Sequence, residues 1–216
     1  MKTDMQVKRE VQEELDWDPA INALGIGVEV RDRVVTLSGH LGTYAEKLAA
    51  EKAVQRVAGV KAVVVELDVR LSGSDKRTDE DIAHAVRSIL LWTVGVPEDK
   101  VKVQVEKGFV TLMGEVEWGY QSRLAERLAS QARGVVRVLN QIKVHATVGA
   151  ADIGKEIDRA LARHVEREAK RIRVTVEGGT VTLSGTVDSL IERSVVRGAA
   201  WSAPGVHAVI DHLTVE

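Results

Sequence analysis

The sequence predicts an α+β protein made of three tandem α-β-β-α-β units, each a three-stranded mixed sheet with two helices on one face. The first observation is that one unit recurs at 3–70, 78–145 and 149–216. The second is that each copy opens with apolar residues four positions apart, which indicates an amphipathic helix. The third is that short alternating runs follow, which indicate strands. Between the copies lie a flexible linker, 71–77, and a linker too short for free tumbling, 146–148.

The first helix of each copy is predicted over 4–16, 79–91 and 152–164. Thr3 and Thr78 supply side-chain oxygens for the unpaired amides at the start of the first two helices. The stripe facing the core is Val7/Val11/Leu15, Ile82/Val86/Leu90 and Ile153/Ile157/Leu161.

Two strands joined by a tight turn come next in each copy. The turn residues are Asp32-Arg33, Lys107-Gly108 and Gly178-Gly179. Glycine suits the positive φ angles of such turns and Arg33 does not, so a different or slightly strained turn is expected in the first copy. A structural glycine then marks the exit from the second strand, at Gly39, Gly114 and Gly185.

The second helix is predicted over about 43–58, 118–133 and 189–203, with small apolar residues facing the sheet. A second structural glycine is expected at the left-handed position that ends this helix, at Gly59, Gly134 and Gly205. The third strand follows a helical crossover, which makes it parallel to the second strand.

One position of the third strand is apolar in the first copy and polar in the other two. The first copy has Val65 where the others have Asn140 and Asp211. A β-bulge that turns this residue outward is the favoured interpretation. The alternative is a polar or cation-coordinating pocket built on Asn140 and Asp211.

The composition argues against nucleic-acid binding and excludes cysteine chemistry. The net charge is −2 and only 3% of residues are aromatic, so neither a basic footprint nor stacking platforms for nucleic acid are expected. The chain has no cysteine, which excludes disulfides and thiol chemistry. The first residues are charged, without the apolar stretch of a signal peptide, so the expected location is cytoplasmic, or periplasmic if a signal has been removed.

The repeated motif resembles one known family. Val34-Val35-Thr36-Leu37-Ser38-Gly39 recurs in variant form before Gly114 and Gly185, and a Gly-Val pair follows twenty residues later in each copy. This pattern is similar to the BON domain, named for bacterial osmotically inducible and nodulation proteins. The resemblance implies a noncatalytic module of stress and envelope proteins that attaches to phospholipid surfaces or envelope partners. The alternative is a cytosolic interaction scaffold, a homo-oligomer or a potassium-responsive binding protein.

Candidate binding residues cluster after the first helix. Trp17 and Trp92 occupy the same column of copies one and two, and the surroundings of Trp92 are unusually apolar. If Leu91, Trp92 and Val94 emerge at the helix end, they form an amphipathic tip suited to a bilayer interface. The favoured interpretation is instead that both tryptophans cover the core from the loop side, and a contact between copies or subunits is a further alternative.

Trp118 and Tyr120, at the start of the second helix of copy two, are absent from the equivalent positions of the other copies. They point to a binding role particular to copy two, with local packing or contact between domains as the alternative.

The sequence holds no motif typical of a nucleotide-binding, metal-binding or catalytic site. The segment 149–156 imitates a phosphate-binding loop, but Glu156 stands where Ser or Thr must meet magnesium, so no nucleotide is expected. The histidines fall in different columns, and no nucleophile stands beside a base, so we expect no metal, no cofactor and no enzyme activity.

Overall fold

A computed structural model describes residues 2–97, 99–144, 172–177, 179–203, 206 and 208–215. It confirms the α+β class and the threefold repetition of a three-stranded mixed sheet. The first helix predicted for copy three, 152–164, lies outside the described residues, and so do Gly178 and Gly205.

The elements follow the predicted order. Copy one comprises α1 (Asp4–Trp17), β1 (Ile26–Arg31), β2 (Val34–Leu41), α2 (Tyr44–Arg56) and β3 (Ala62–Val69). Copy two comprises α3 (Asp79–Leu91), β4 (Val101–Glu106), β5 (Phe109–Val116), α4 (Gly119–Ala129) and β6 (Arg137–Val144). The described part of copy three comprises β7 (Ile172–Glu177), β8 (Thr180–Val187), α5 (Leu190–Ser202) and β9 (Ala208–Val215).

Each sheet has its second strand in the centre. β2 pairs with β1 in antiparallel fashion and with β3 in parallel fashion, and the other copies repeat this arrangement. Leu37, Leu112 and Leu183 on the central strands are completely buried. Burying a leucine stabilises a fold by about 1.5 to 3 kcal/mol, so these side chains are main contributors to the three separate cores.

The hairpin turns of copies one and two are held by the first helix of each copy. In copy one the Asp4 carboxylate accepts hydrogen bonds from Asp32 N (2.8 Å) and Arg33 N (3.0 Å). The φ angles of Asp32 and Arg33 are +51° and +65°, as in the equivalent turn of copy two. The expectation of a different turn is therefore wrong and that of a strained one is right, because Arg33 adopts a left-handed conformation and Asp4 stabilises it.

The second structural glycines lie further from the helix than the sequence predicts. Gly59 and Gly134 have φ angles of +92° and +87°, so both are left-handed. However, α2 is capped at Val57 and α4 at Ser130, before the glycines. Each glycine therefore shapes the turn into the third strand instead of ending the helix. At Gly134 a Cβ would lie within 3.0 Å of Ile82, which explains the absence of a side chain.

The predicted bulge in the third strand is wrong. β5 and β6 pair without interruption, with Leu112 opposite Asn140, and Leu183 lies opposite Asp211 in the same register. Asn140 and Asp211 therefore point towards the helices, and the apolar residues before them, Leu139 and Ile210, are the ones that face outward. The period of a strand is two residues, so unbroken register fixes this outcome.

The three copies also pack against one another through the start of each second helix. Tyr44 packs against the core of copy two, Gly119 against Trp201 of copy three, and Leu190 against the core of copy one. These three residues occupy one column of the repeat. Burial raises the pKa of Tyr44, whose hydroxyl lies beside the backbone of Val138. The contacts run from each copy to the next and close into a ring, which the repeat pattern alone does not predict.

Candidate functional site at the tip of the second repeat

The loop after α3 presents apolar side chains to solvent. Leu90 is the last buried residue of the helix and Val96 is buried again after the loop. Between them, Leu91, Trp92 and Val94 have exposed fractions of 44%, 84% and 97%. We call these three residues the apolar tip.

The backbone holds the tip in place. The amide of Trp92 donates to the carbonyl oxygens of Ser88 and Leu90, which tightens the last turn of α3. The Thr93 hydroxyl donates to the Ile89 carbonyl at 2.6 Å. Gly95 then reverses the chain with a φ angle of +103°, a conformation that glycine adopts without strain. The tip is therefore a capped helix end with defined geometry.

The aromatic residues of α4 adjoin this loop. The ring of Tyr120 lies 3.6 Å from where a Cβ on Gly95 would be, so it packs on the turn of the tip. Trp118 is half-buried, and its ring centroid lies 6.3 Å from that of Tyr120. Tyr120 is 40% exposed, so the aromatic pair extends the apolar surface beyond the loop.

A cavity of about 610 Å³ with a net positive lining adjoins the tip at Leu91. Its lining includes Leu91, His84, Arg87, Lys102 and Asp99, between α3 and β4. Neither Arg87 nor Lys102 forms an ion pair with another described residue. The lining therefore holds two cations, Arg87 and Lys102, and one carboxylate, Asp99, so the surface beside the apolar tip carries a net positive charge.

Another lysine near this end of copy two is already paired. Lys100 Nζ lies 3.0 Å from Glu117 Oε1, and this hydrogen bond raises the pKa of Lys100. Lys100 is thus less available to an anionic ligand than the cations of the cavity.

Copy one offers a natural comparison. Trp17 is 85% exposed at the end of α1, but its neighbours are Asp16 and Asp18 in place of Leu91 and Thr93. The equivalent cavity, of about 420 Å³, is lined by Arg9, Glu13 and Asp16 among others. The tip of copy one is therefore acidic where that of copy two is apolar and basic.

The structure contradicts the favoured interpretation that Trp17 and Trp92 cover the core from the loop side. Trp17 and Trp92 extend into solvent because each follows the last buried residue of its helix, Leu15 or Leu90. Leu91, Trp92, Val94, Trp118 and Tyr120 lie at one end of copy two, whereas Trp17 belongs to a different repeat. The equivalent loop of copy three lies outside the described residues, as does the segment 149–156.

Asn140 and Asp211 have partners that sequence analysis missed. Asn140 Nδ2 donates to Ser122 Oγ (2.9 Å) and Glu126 Oε2 (3.1 Å), and its Oδ1 accepts from the backbone at Ile142. Ser122 and Glu126, four residues apart on α4, are the polar residues in the sequence that indicate this inward orientation.

Asp211 makes the same backbone contact in copy three, where its Oδ1 accepts from Leu213 N. Its other oxygen lies 2.8 Å from Arg193 Nε and 3.6 Å from Arg197 Nε. Asp211 is thus committed to two guanidinium groups. Within the described residues, no three His, Asp or Glu side chains converge as a metal site would require.

The fold and its threefold repetition define a class of tandem-repeat α+β proteins. A family model matches the chain three times, once for each repeat. The model of the BON domain matches residues 3–70, 78–146 and 150–216. The chain belongs to the BON domain family.

One similar relative is the osmotically inducible protein Y of Escherichia coli strain K12. It is 36% identical over 127 residues, which cover 57% of this chain and 63% of the relative. The chain thus spans less than two thirds of the length of this curated relative.

Similar solved structures include CdsD, a structural protein of the type III secretion system of Chlamydia trachomatis. It is 17% identical, with a TM-score of 0.26 over 96% of this chain and 91% of that one. The periplasmic domain of PrgH is 13% identical, with a TM-score of 0.22 over 88% and 95% of the two chains. Scores this low do not establish a shared fold.

The described helices are short compared with the thickness of a bilayer. None of them is both long enough and apolar enough to cross it.

Proposed function

We propose that the protein is a noncatalytic, stress-related and envelope-associated protein that attaches to phospholipid surfaces through the tip of copy two. The observation that carries this proposal is the exposure of Leu91, Trp92 and Val94 beside a cationic cavity. Membership of the BON family and similarity to an osmotically inducible protein support the stress-related role.

The energetics favour shallow attachment. A tryptophan and a neighbouring valine contribute about 2 kcal/mol each or more when their apolar surface leaves water. Indole rings prefer the headgroup region, where the ring is in an apolar layer and its N–H remains solvated. The tip has this composition, and its helix stops at the surface without continuing into the hydrocarbon core.

The charges favour anionic lipid. Arg87 and Lys102 lie beside Leu91, so they reach the headgroup layer when the tip inserts. A basic residue near an anionic membrane contributes about 1 kcal/mol. This local contribution explains how a chain with a net charge of −2 can bind a negative surface. The proposal applies whether the protein faces the membrane from the cytoplasm or from the periplasm.

Co-flotation with vesicles tests this function. We expect the wild type to float with vesicles of phosphatidylcholine and phosphatidylglycerol, and the double variant Trp92→Ala/Val94→Ser to bind at least tenfold more weakly. Loss of about 2 kcal/mol of apolar transfer would produce this change. Trp17→Ala is the matched control, because it removes an equally exposed tryptophan with acidic neighbours, and it should change binding less than twofold.

Two results would contradict the proposal. One is a wild type that stays at the bottom of the gradient with both neutral and anionic vesicles. The other is equal loss of binding in Trp17→Ala and in the double variant. A protein that fails to bind lipid but forms a defined oligomer in light scattering would favour the interaction scaffold instead.

A further inference from the structure

A second cavity lies between copies two and three, away from the apolar tip. It measures about 640 Å³ and opens where α4 of copy two crosses α5 of copy three. Its polar lining includes Ser122, Arg123, Glu126, Asn140 and Arg197. Nothing in the proposed membrane attachment uses these residues.

Arg123 is the most buried of the cations that line this cavity. Its Nε is buried and has no hydrogen-bond partner among the residues that the structure describes. Its Nη2 donates to the carbonyl of Gly198 at 3.3 Å, a long hydrogen bond to a neutral group. Burial lowers the pKa of Arg123, and the nearby charges of Arg197 and Arg127 lower it further. A half-buried guanidinium close to other positive charges destabilises the fold unless an anion binds to it.

Two of the carboxylates near this cavity have described partners. Glu126 accepts from Asn140, and Asp211 pairs with Arg193 and Arg197. The lining of the cavity itself holds three cations, Arg123, Lys143 and Arg197, and one carboxylate, Glu126. Lys143 lies opposite Glu115 on the neighbouring strand, and Arg197 Nε lies 3.6 Å from Asp211 Oδ2. Arg123 forms no ion pair with another described residue.

We propose that this cavity binds a phosphate-bearing anion, with the guanidinium groups of Arg123 and Arg197 as its main ligands. A guanidinium presents parallel N–H donors that match the oxygens of a phosphate. A phosphate monoester carries close to two negative charges at neutral pH, which offsets the excess of cations. The two ligands come from different copies, so binding also clamps copy two to copy three.

Binding of a phosphate-bearing anion is a different property from membrane attachment, so either proposal can be wrong while the other is right. The apolar tip and this cavity share no residue, so a variant of one leaves the other intact. A phosphate group can come from a soluble metabolite or from a lipid headgroup, and the experiment separates these sources.

Calorimetric titration of the full chain with inorganic phosphate, at constant ionic strength, tests the proposal. We expect saturable binding that Arg123→Gln and Arg197→Gln each weaken at least tenfold. Arg31→Gln is the matched control, since Arg31 lies on β1 with 83% of its side chain exposed, and it should leave binding unchanged. Absence of saturable binding, or equal weakening by the control, would overturn the proposal.

Thermal stability distinguishes a ligand-binding arginine from a structural one. Without phosphate, Arg123→Gln should melt at the wild-type temperature or above it, because an unpaired charge is removed. With phosphate, only the wild type should gain stability. An Arg123→Gln protein that melts lower than the wild type without phosphate would show a structural role and overturn the assignment.

A final titration identifies the source of the phosphate group. Tighter binding of glycerol phosphate or short-chain phosphatidic acid than of inorganic phosphate assigns a lipid headgroup. Equal or weaker binding assigns a soluble phosphate. Both results support the anion site provided that Arg123→Gln weakens the binding at least tenfold.

Discussion

Replacing Gly114 with alanine is expected to unfold the second repeat at 25 °C. Gly114 has a φ angle of +131°, and a Cβ there would lie 1.9 Å from the carbonyl oxygen of Lys100. That oxygen belongs to the backbone and also accepts from Glu115 N, so it cannot move aside without loss of pairing between β4 and β5. The combined clash and strain should cost about 4 kcal/mol or more.

A loss of this size matters because each repeat is small. A unit of this length is stable by about 3 to 10 kcal/mol. We therefore expect the dispersed amide resonances of copy two to disappear from the NMR spectrum of Gly114→Ala, while those of β1 to β3 remain. Gly73→Ala is the control, because a Cβ at Gly73 meets no atom within 4 Å. A Gly114→Ala spectrum like that of the wild type would refute the assigned packing role.

Replacing Gly119 with alanine should separate copies two and three, although alanine is the better helix former. Gly119 is the first residue of α4, and a Cβ there would lie 2.4 Å from the ring of Trp201 on α5. Local propensity alone predicts that alanine stabilises by about 0.5 to 1 kcal/mol. Overpacking against the indole predicts destabilisation of about 1 to 3 kcal/mol. We expect the second effect to dominate and the radius of gyration in X-ray scattering to increase.

A double-mutant cycle isolates the cause. Trp201→Leu removes most of the ring that the new methyl group would strike, so Gly119→Ala should be neutral or stabilising in that background. If Gly119→Ala destabilises equally with and without the indole, the contact between α4 and α5 is not what requires a glycine.

Much of the fold was predictable because each local signal agreed with the repeat. Thr3 and Thr78 cap their helices as expected, through hydrogen bonds with Gln6 and Asp81. The alternating valines and the helical crossover determined the strand order. Because helix capping, hydrophobic periodicity and the repeat all indicate the same elements, the architecture of one unit is predictable from the sequence.

The errors arose where tertiary context decides. A bulge at Asn140 is the prediction because a polar residue in a core-facing column conflicts with burial, but hydrogen bonds to Ser122 and Glu126 on α4 remove that conflict. The sequence favours Trp92 as a cover of the core from the loop side, but the helix ends at Leu91 and leaves the indole in solvent. The ring of contacts through Tyr44 and its equivalents depends on how complete domains meet, which periodicity within one repeat does not encode.

The central claim is that the apolar tip of copy two enters a membrane, and the emission of Trp92 tests it most directly. A chain with Phe in place of Trp17, Trp118 and Trp201 leaves Trp92 as the single tryptophan. The account predicts that anionic vesicles shift its emission to shorter wavelength and that lipids brominated just below the headgroup quench it. A chain that floats with the vesicles while the emission of Trp92 stays unshifted and unquenched would contradict it.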